Sequence, residues 1–313
     1  MAETNTSEVI VLHDIPPYMK VYSDGRIDRL VATETTAAGL DSQTGVFSKD
    51  ILILPETAVS ARLYHPNPDS PKKLPLLIYF HGGAFLIASA AEPKYHAMLN
   101  LLAKQAQIIV VSVDYRLAPE NPLPAAYDDS WAALQWAAGG GAGEPWLTEL
   151  ADFDRVFLAG DSAGANICHQ MAIKNLRLQE FKISGFVMVH PYFWGEDPIG
   201  VEAESPVFKS VVDNWWRFVC PSDLGCDDPL INPFAGGEDF PALARSYGFL
   251  VCVAGNDILR ERGRLYYKAL MEEKGKAEYL ETPEEDHVFH IFDPSCENAK
   301  NLINKCAEFI NSK

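Results

Sequence analysis

Val156-Phe157-Leu158-Ala159-Gly160-Asp161-Ser162-Ala163-Gly164-Ala165-Asn166 is the stretch whose reading decides the fold. A short apolar run enters Gly-x-Ser-x-Gly and leaves it through a helix-compatible segment over 165–176, which is the strand, sharp turn and helix of a nucleophile elbow. In such a turn Ser162 holds strained backbone geometry, and Gly160 and Gly164 lack the Cβ atoms that would collide where strand and helix cross. The hydroxyl is pushed out at the strand's C-terminal edge, and the N–H of Ala163 points into the same space. With Gly at about 7% of residues and Ser taken as similar, the pattern arises by chance in roughly one chain in ten of this length. Its position between an apolar strand and a helix start is what gives it meaning.

The alternation of strand and helix continues on both sides of the elbow. The runs 74–80 and 108–113 are almost continuously apolar, as parallel strands covered on both faces must be, while 50–54 and 60–64 read as an antiparallel edge pair. Further strands are expected at 185–190, 249–254 and 277–282, and helices at 93–105, 125–137, 145–151, 260–273 and 297–310. The fold class is therefore α/β, a mostly parallel sheet with helices on both faces, in one domain over 1–313. Two stretches depart from the rhythm. Residues 1–45 are irregular, with turn signals at Pro16-Pro17 and Asp24-Gly25 around the short alternating piece Met19-Lys20-Val21-Tyr22. Residues 192–246 carry Phe193, Trp194, Trp215, Trp216 and Phe218, turns at Asp227-Asp228-Pro229 and Gly236-Gly237, and a helix over 207–219. An insertion there is expected to lie as a lid over the carboxyl ends of the strands, although any single aromatic in it packs more often than it binds.

Bulk properties narrow the function. The chain has 313 residues with 48% hydrophobic content, enough for a substantial core. Its formal net charge of −17 argues against nucleic acid and against anionic membrane surfaces. The N-terminus, MAETNTSEVIVLHDIPPY, lacks a basic stretch followed by an apolar core, and no run approaches a membrane span, so a soluble, cytosolic protein is expected. Cys168, Cys220, Cys226, Cys252, Cys296 and Cys306 show no metal-ligand spacing. Cys220 and Cys226 could pair across their loop, but the absence of a secretion signal argues for free thiols.

The chemistry requires partners for Ser162. Directly after the 74–80 strand comes His81-Gly82-Gly83-Ala84-Phe85, and the amides of Gly82 and Gly83 with that of Ala163 are expected to supply three donors to an oxyanion. A serine also needs a base, and the base needs a carboxylate to fix its tautomer. Of the four histidines after Ser162, His169 falls inside the elbow helix and His190 ends a strand before the lid. His287 follows the last strand and the acidic loop Glu284-Glu285-Asp286 and is the expected base, with His290 turned to packing or solvent. Asp257 follows the 249–254 strand and is the expected acid, a role compatible with capping the next helix. Its rival Asp286 is adjacent to His287 and tends to point elsewhere. A metal bound by His287-x-x-His290 lacks a third ligand at a supportive spacing, so neither metal nor other cofactor is expected.

Five motifs in order, HGGAF (81–85), DYRLAPE (114–120), PAAYDD (124–129), GDSAGAN (160–166) and DHVFH (286–290), make the chain from about residue 18 onward resemble plant carboxylesterases of the hormone-sensitive-lipase-like branch of the α/β hydrolases. The stretches VYSDGRIDRL, QTGVFSKD and PYFWGEDPIG are similar to the 2-hydroxyisoflavanone dehydratase-like clade. The resemblance implies a cap made of the N-terminal segment and the 192–246 insertion. It also implies a triad of Ser162, Asp257 and His287, with oxyanion amides at Gly82, Gly83 and Ala163. The third motif glycine of the family is Ala84 here. Family dehydratases carry Thr at the nucleophile, gibberellin receptors have lost the triad histidine, and alkaloid cyclases replace it with tyrosine, whereas Ser162 and His287 are both present. The implied activity is a serine carboxylesterase, monomeric or weakly dimeric, acting on a small apolar or aromatic ester. Phe85, Phe193, Trp194, Trp215, Trp216 and Val288 are the expected pocket lining. A lyase or cyclase is the alternative, and a hormone receptor a more distant one.

Overall fold

The apolar runs at the centre of the chain become the middle of an eight-stranded sheet in the computed structural model, which describes residues 9–66, 73–236 and 239–312. Ahead of that sheet, β1 (Val11–Ile15), β2 (Met19–Tyr22) and β3 (Ile27–Arg29) form a separate antiparallel meander. The main sheet then takes β4 (Phe47–Leu54), β5 (Val59–His65) and β6 (Leu74–Phe80), and after α1 (Pro93–Ala106) it takes β7 (Ile109–Asp114). Two helices, α2 (Ala125–Ala138) and the one-turn α3 (Pro145–Thr148), precede β8 (Ala151–Asp161), which leads into α4 (Ala163–Leu178) and β9 (Ile183–Val189). Helices α5 (Val201–Glu204), α6 (Pro206–Val219) and α7 (Phe240–Ser246) intervene before β10 (Gly248–Ala254). The chain ends with α8 (Arg260–Glu272), β11 (Lys276–Thr282), α9 (Phe289–Phe292) and α10 (Glu297–Asn311).

Strand order is β11-β10-β9-β8-β6-β7-β5-β4, antiparallel where β5 meets β4 and β7 and parallel elsewhere. Alternation decides which layer each side chain joins. Leu77 and Tyr79 of β6, with Phe157 and Ala159 of β8, pack into a core with residues of α1 and α10. Leu76, Ile78 and Phe80, with Val156 and Leu158, join the core of α2 and α4. Every residue of β6 and β10 is buried, which is why their sequences show no polar alternation.

Three local differences from the sequence reading have physical causes. The helix expected over 145–151 stops at Thr148, because Leu74 N–H donates to Leu150 O at 2.7 Å and Ala151 already pairs with Leu74 as β8 begins. The irregular N-terminal stretch contains β1, registered on β2 through Ile15 and Met19, with Pro16-Pro17 in the turn. The elbow helix starts at Ala163 rather than 165. Of the expected Gly236-Gly237 turn, Gly237 lies outside the described residues. All six cysteines are free thiols, Cys220 and Cys226 included. Among the described residues no helix is long and apolar enough to cross a membrane.

The N-terminal meander and the 192–246 segment meet above the carboxyl edge of the sheet. Trp215 Nε1–H donates to Pro16 O at 3.1 Å, and the Tyr18 and Trp215 ring centroids are 4.9 Å apart. Arg29 of β3 ties the meander to the body, its guanidinium donating to Leu86 O at 2.8 Å, Ala118 O at 3.1 Å and the Glu120 carboxylate at 2.7 Å. The inserted segment is anchored on α8 by the buried Arg262–Glu202 pair at 2.7 Å.

Candidate active site

Ser162 stands between β8 and α4 with φ 52° and ψ −117°, a conformation that a side chain adopts only when the surroundings impose it. They do so here: a Cβ on Gly164 would collide with the carbonyl of Phe80, and one on Gly160 with the backbone of Gly164. The serine backbone is pinned as well, its N–H donating to Val189 O at 2.9 Å and its carbonyl accepting from Tyr192 N–H at 3.0 Å.

Turns after β8, β10 and β11 bring the catalytic set together. His287 Nε2 lies 2.9 Å from Ser162 Oγ, and His287 Nδ1 lies 2.6 Å from Asp257 Oδ2. With a charged carboxylate at Nδ1, that nitrogen carries the proton, and Nε2 is left to accept from the serine. Asp257 is buried, and its second oxygen, Oδ1, accepts Leu259 N–H at 2.9 Å, so capping and orienting are performed by one carboxylate. Burial opposes a charge on His287, but the charge and hydrogen bond of Asp257, with Asp161 further off, outweigh it and raise the imidazole above its usual 6.5. The rival Asp286 is exposed. His169 is buried against the Tyr266 hydroxyl at 3.0 Å, and His290 is buried edge-on to His190 with ring centroids 5.5 Å apart.

His190, set aside in the sequence reading, has a supporting place. Its Nδ1 accepts the N–H of Val288 at 2.9 Å, holding the residue that follows the base. Val288 has φ 50°, unfavourable for a β-branched residue, so the contact stabilises a strained turn. Burial, with His290 and His287 nearby, keeps His190 well below the usual imidazole range and therefore neutral. Donor atoms of His190, Asp257 and His287 lie within 4.8 Å of one another, but those of Asp257 and His287 are engaged by each other, by Ser162 and by Leu259.

The amides after β6 differ from expectation. Gly82 N–H donates to Tyr95 Oη at 2.8 Å and lies 3.2 Å from Asp161 Oδ1, so it is turned away from Ser162. Asp161 is fully buried, accepting from Tyr79 Oη at 2.7 Å and Tyr95 Oη at 2.8 Å; burial raises its carboxyl and these bonds offset the shift only in part. Gly83 and Ala84 line the cavity beside Ser162, and neither N–H has an acceptor among the described residues. The N–H of Ala163 is the first of α4 and has no partner within the helix. Among the described residues, the amides next to Ser162 that remain without an acceptor are thus those of Gly83, Ala84 and Ala163. Ala84 was missed because a Gly-Gly pair draws attention to itself, while Tyr95, which engages Gly82, lies 13 residues away.

Two cavities meet at Ser162 and His287. The larger, about 120 Å³, runs past Gly83, Ala88, Glu92 and Val288 to Phe292, and the smaller, about 40 Å³, is walled by Tyr192, Val212, Trp215, Ile258 and Leu259. Tyr18 and Ala84 line both. Of the expected lining residues, Trp215 and Val288 reach the site. Phe85, Phe193, Trp194 and Trp216 do not; all four are buried in the core and line neither cavity. Phe85 packs edge-on to Tyr127 at 5.7 Å, Phe193 lies 4.6 Å from the Tyr266 ring, and the indole N–H groups of Trp194 and Trp216 donate to Asp213 and Gly225 O. Tyr18 had no signal beyond being an aromatic residue after two prolines.

Comparison with known proteins places this geometry. A model of the alpha/beta hydrolase fold matches residues 77–291. "Probable carboxylesterase 2" of Arabidopsis thaliana is 51% identical over 302 residues, covering 95% of this chain and 96% of the relative. "Tuliposide A-converting enzyme 1, chloroplastic" of Tulipa gesneriana is 43% identical over 314 residues, covering 98% of this chain and 80% of the relative. Among solved structures, a hyperthermophilic esterase from the archaeon Pyrobaculum calidifontis superposes with a TM-score of 0.74 at 27% identity, covering 85% of each chain. The match spans the elbow, the loop after β6 and the turns carrying Asp257 and His287, and the chain belongs to the α/β hydrolase family.

Proposed function

We propose that the protein is a serine carboxylesterase that hydrolyses esters of small plant metabolites with an apolar or aromatic part, through an acyl-enzyme on Ser162. The observation that carries this reading is the continuous hydrogen-bonded chain Asp257–His287–Ser162, set beside amides that have no other acceptor among the described residues. As Ser162 Oγ attacks the ester carbonyl, its proton passes to His287 Nε2, and Asp257 stabilises the imidazolium. The carbonyl oxygen becomes an oxyanion held by the N–H groups of Gly83, Ala84 and Ala163. His287 then protonates the leaving alcohol, and water releases the acyl group by the same steps in reverse order. The smaller cavity, with Val212, Trp215, Ile258 and Leu259, suits the apolar part of the substrate. In this reading the N-terminal meander and the 192–246 segment act as a cap. The free thiols fit a reducing compartment, the cytosol or the chloroplast named for one relative.

Purified protein is expected to release p-nitrophenol from p-nitrophenyl butyrate. No turnover, with the fold intact, would favour elimination or cyclisation on a metabolite with no ester to cleave, where His287 acts as a base and Ser162 is never acylated. The pH profile is a second check. His287 must be neutral to accept the proton, and its pKa is raised above 6.5, so activity is lost as pH falls through that raised value. The acid limb of kcat/KM is therefore expected above the pKa of a free imidazole. A limb at or below that of free imidazole would show that Asp257 does not support the charge on His287.

A further inference from the structure

The larger cavity contains polar groups for which ester hydrolysis has no use. Tyr18 lines it between the meander and the triad, and its hydroxyl has no hydrogen-bond partner among the described residues. Burial pushes that phenol up to about 12, so it stays protonated and remains a donor. Glu92 lines the same cavity and is only 4% exposed. Its Oε2 caps α1, accepting Lys94 N–H at 2.7 Å and Tyr95 N–H at 3.0 Å, while Oε1 has no partner among the described residues. That oxygen is not sealed from solvent, so a donor entering the cavity can reach it.

The remaining wall determines what that can be. Ala32, Ala84 and Ala88 are small and leave room, whereas the Lys94 ammonium sits 4.6 Å over the Phe292 ring on the outer side. Glu92 disfavours an anionic ligand, and Lys94 disfavours a cationic one. A neutral group with hydroxyls satisfies both, because each hydroxyl can donate to the carboxylate and accept from the phenol. The smaller cavity shares Tyr18 but has no carboxylate: Tyr192 Oη is turned to Val212 O at 3.5 Å, the Trp215 N–H is engaged by Pro16 O, and Val212, Ile258 and Leu259 are apolar.

We propose that the larger cavity is a hydroxyl-binding subsite, in which a neutral polyhydroxylated half of the ester, of the polyol or sugar type, donates to Glu92 Oε1 and accepts from Tyr18 Oη. The proposal rests on the ester reading above and adds an asymmetry to it: one hydroxylated half and one apolar half. Tyr18 and Glu92 act here in selecting substrate, not in the chemistry.

The test measures binding apart from turnover. Ser162→Ala protein is titrated calorimetrically with two matched pairs, 6-O-butanoylglucose against cyclohexylmethyl butanoate, and ethyl shikimate against ethyl cyclohexenecarboxylate. The first pair puts the hydroxyls on the alcohol and the second on the acyl group. In one pair the hydroxylated ester is expected to bind at least about tenfold more tightly than its carbon analogue, the order expected when a site's polar groups are left unpaired. Adding Tyr18→Phe or Glu92→Gln, the latter retaining an oxygen to cap α1, is expected to remove most of that ratio. A preference for the carbon analogue in both pairs, or a ratio that survives both substitutions, overturns the subsite. The ratio of kcat/KM in the active enzyme separates the two readings. Hydrolysis of p-nitrophenyl butyrate without any preference overturns the subsite alone, while the preference in binding with no ester hydrolysed overturns the esterase reading alone.

Discussion

Replacing Ser162 by Ala is expected to lower ester turnover on the order of 10⁶-fold, about 8 kcal/mol of lost transition-state stabilisation. Removing Oγ leaves His287 Nε2 with no proton to take from the nucleophile and the carbonyl with no attacking atom, while the amides of Gly83, Ala84 and Ala163 stay in place. The φ of 52° is imposed by the crossing of β8 and α4, so Ala takes up the same strained backbone and the fold is preserved. The check is p-nitrophenol release beside a thermal melt of the variant. A loss below tenfold in a folded variant would mean that another group attacks the ester.

Asp257→Asn is expected to cost on the order of 10⁴-fold, the size of the effect seen for the equivalent change in another triad. The orientation of the new amide follows from its surroundings. Leu259 N–H is a donor at 2.9 Å from Oδ1, so the Asn oxygen stays there and the NH₂ group faces His287 Nδ1. A donor at that position forces Nδ1 to accept, which places the proton on Nε2, facing Ser162 Oγ. The imidazole is then in the wrong tautomer to act as a base. Loss of the carboxylate also removes the main support of the imidazolium, so the acid limb of the pH profile moves down with the rate. If the variant loses activity while its acid limb is unmoved, Asp257 acts through packing rather than through His287.

The elbow, the triad and the parallel centre of the sheet were legible because each is written in local sequence. Gly160 and Gly164 mark the crossing, apolar runs mark doubly covered strands, and Asp257 and His287 each follow a strand at the edge where Ser162 emerges. The parts that were not legible depend on contacts between distant residues. Whether the Gly82 amide is free for the site is decided by Tyr95 and Asp161, which take its N–H, while the Ala84 N–H has no acceptor among the described residues. Four aromatics expected in the pocket are in the core instead. In α6, Val212, Trp216 and Val219 share the buried face, while Trp215 is turned toward Tyr18. Helical spacing alone could have separated the two tryptophans, because Trp216 stands four residues after Val212 and three before Val219. In the sequence Glu92 is only the residue before a helical proline, and the structure is needed to show that one of its oxygens is unengaged beside a cavity.

The most direct measurement is the site of covalent capture: the protein is treated with an alkyl p-nitrophenyl phosphonate, digested, and its peptides are mapped by mass spectrometry. A nucleophilic Ser162 predicts one phosphonyl group per chain, on the peptide that carries Ser162, with p-nitrophenol released in equal amount and labelling lost in Ser162→Ala. Ester hydrolysis that continues in protein unlabelled at Ser162, or a label on another residue that abolishes activity, would contradict it.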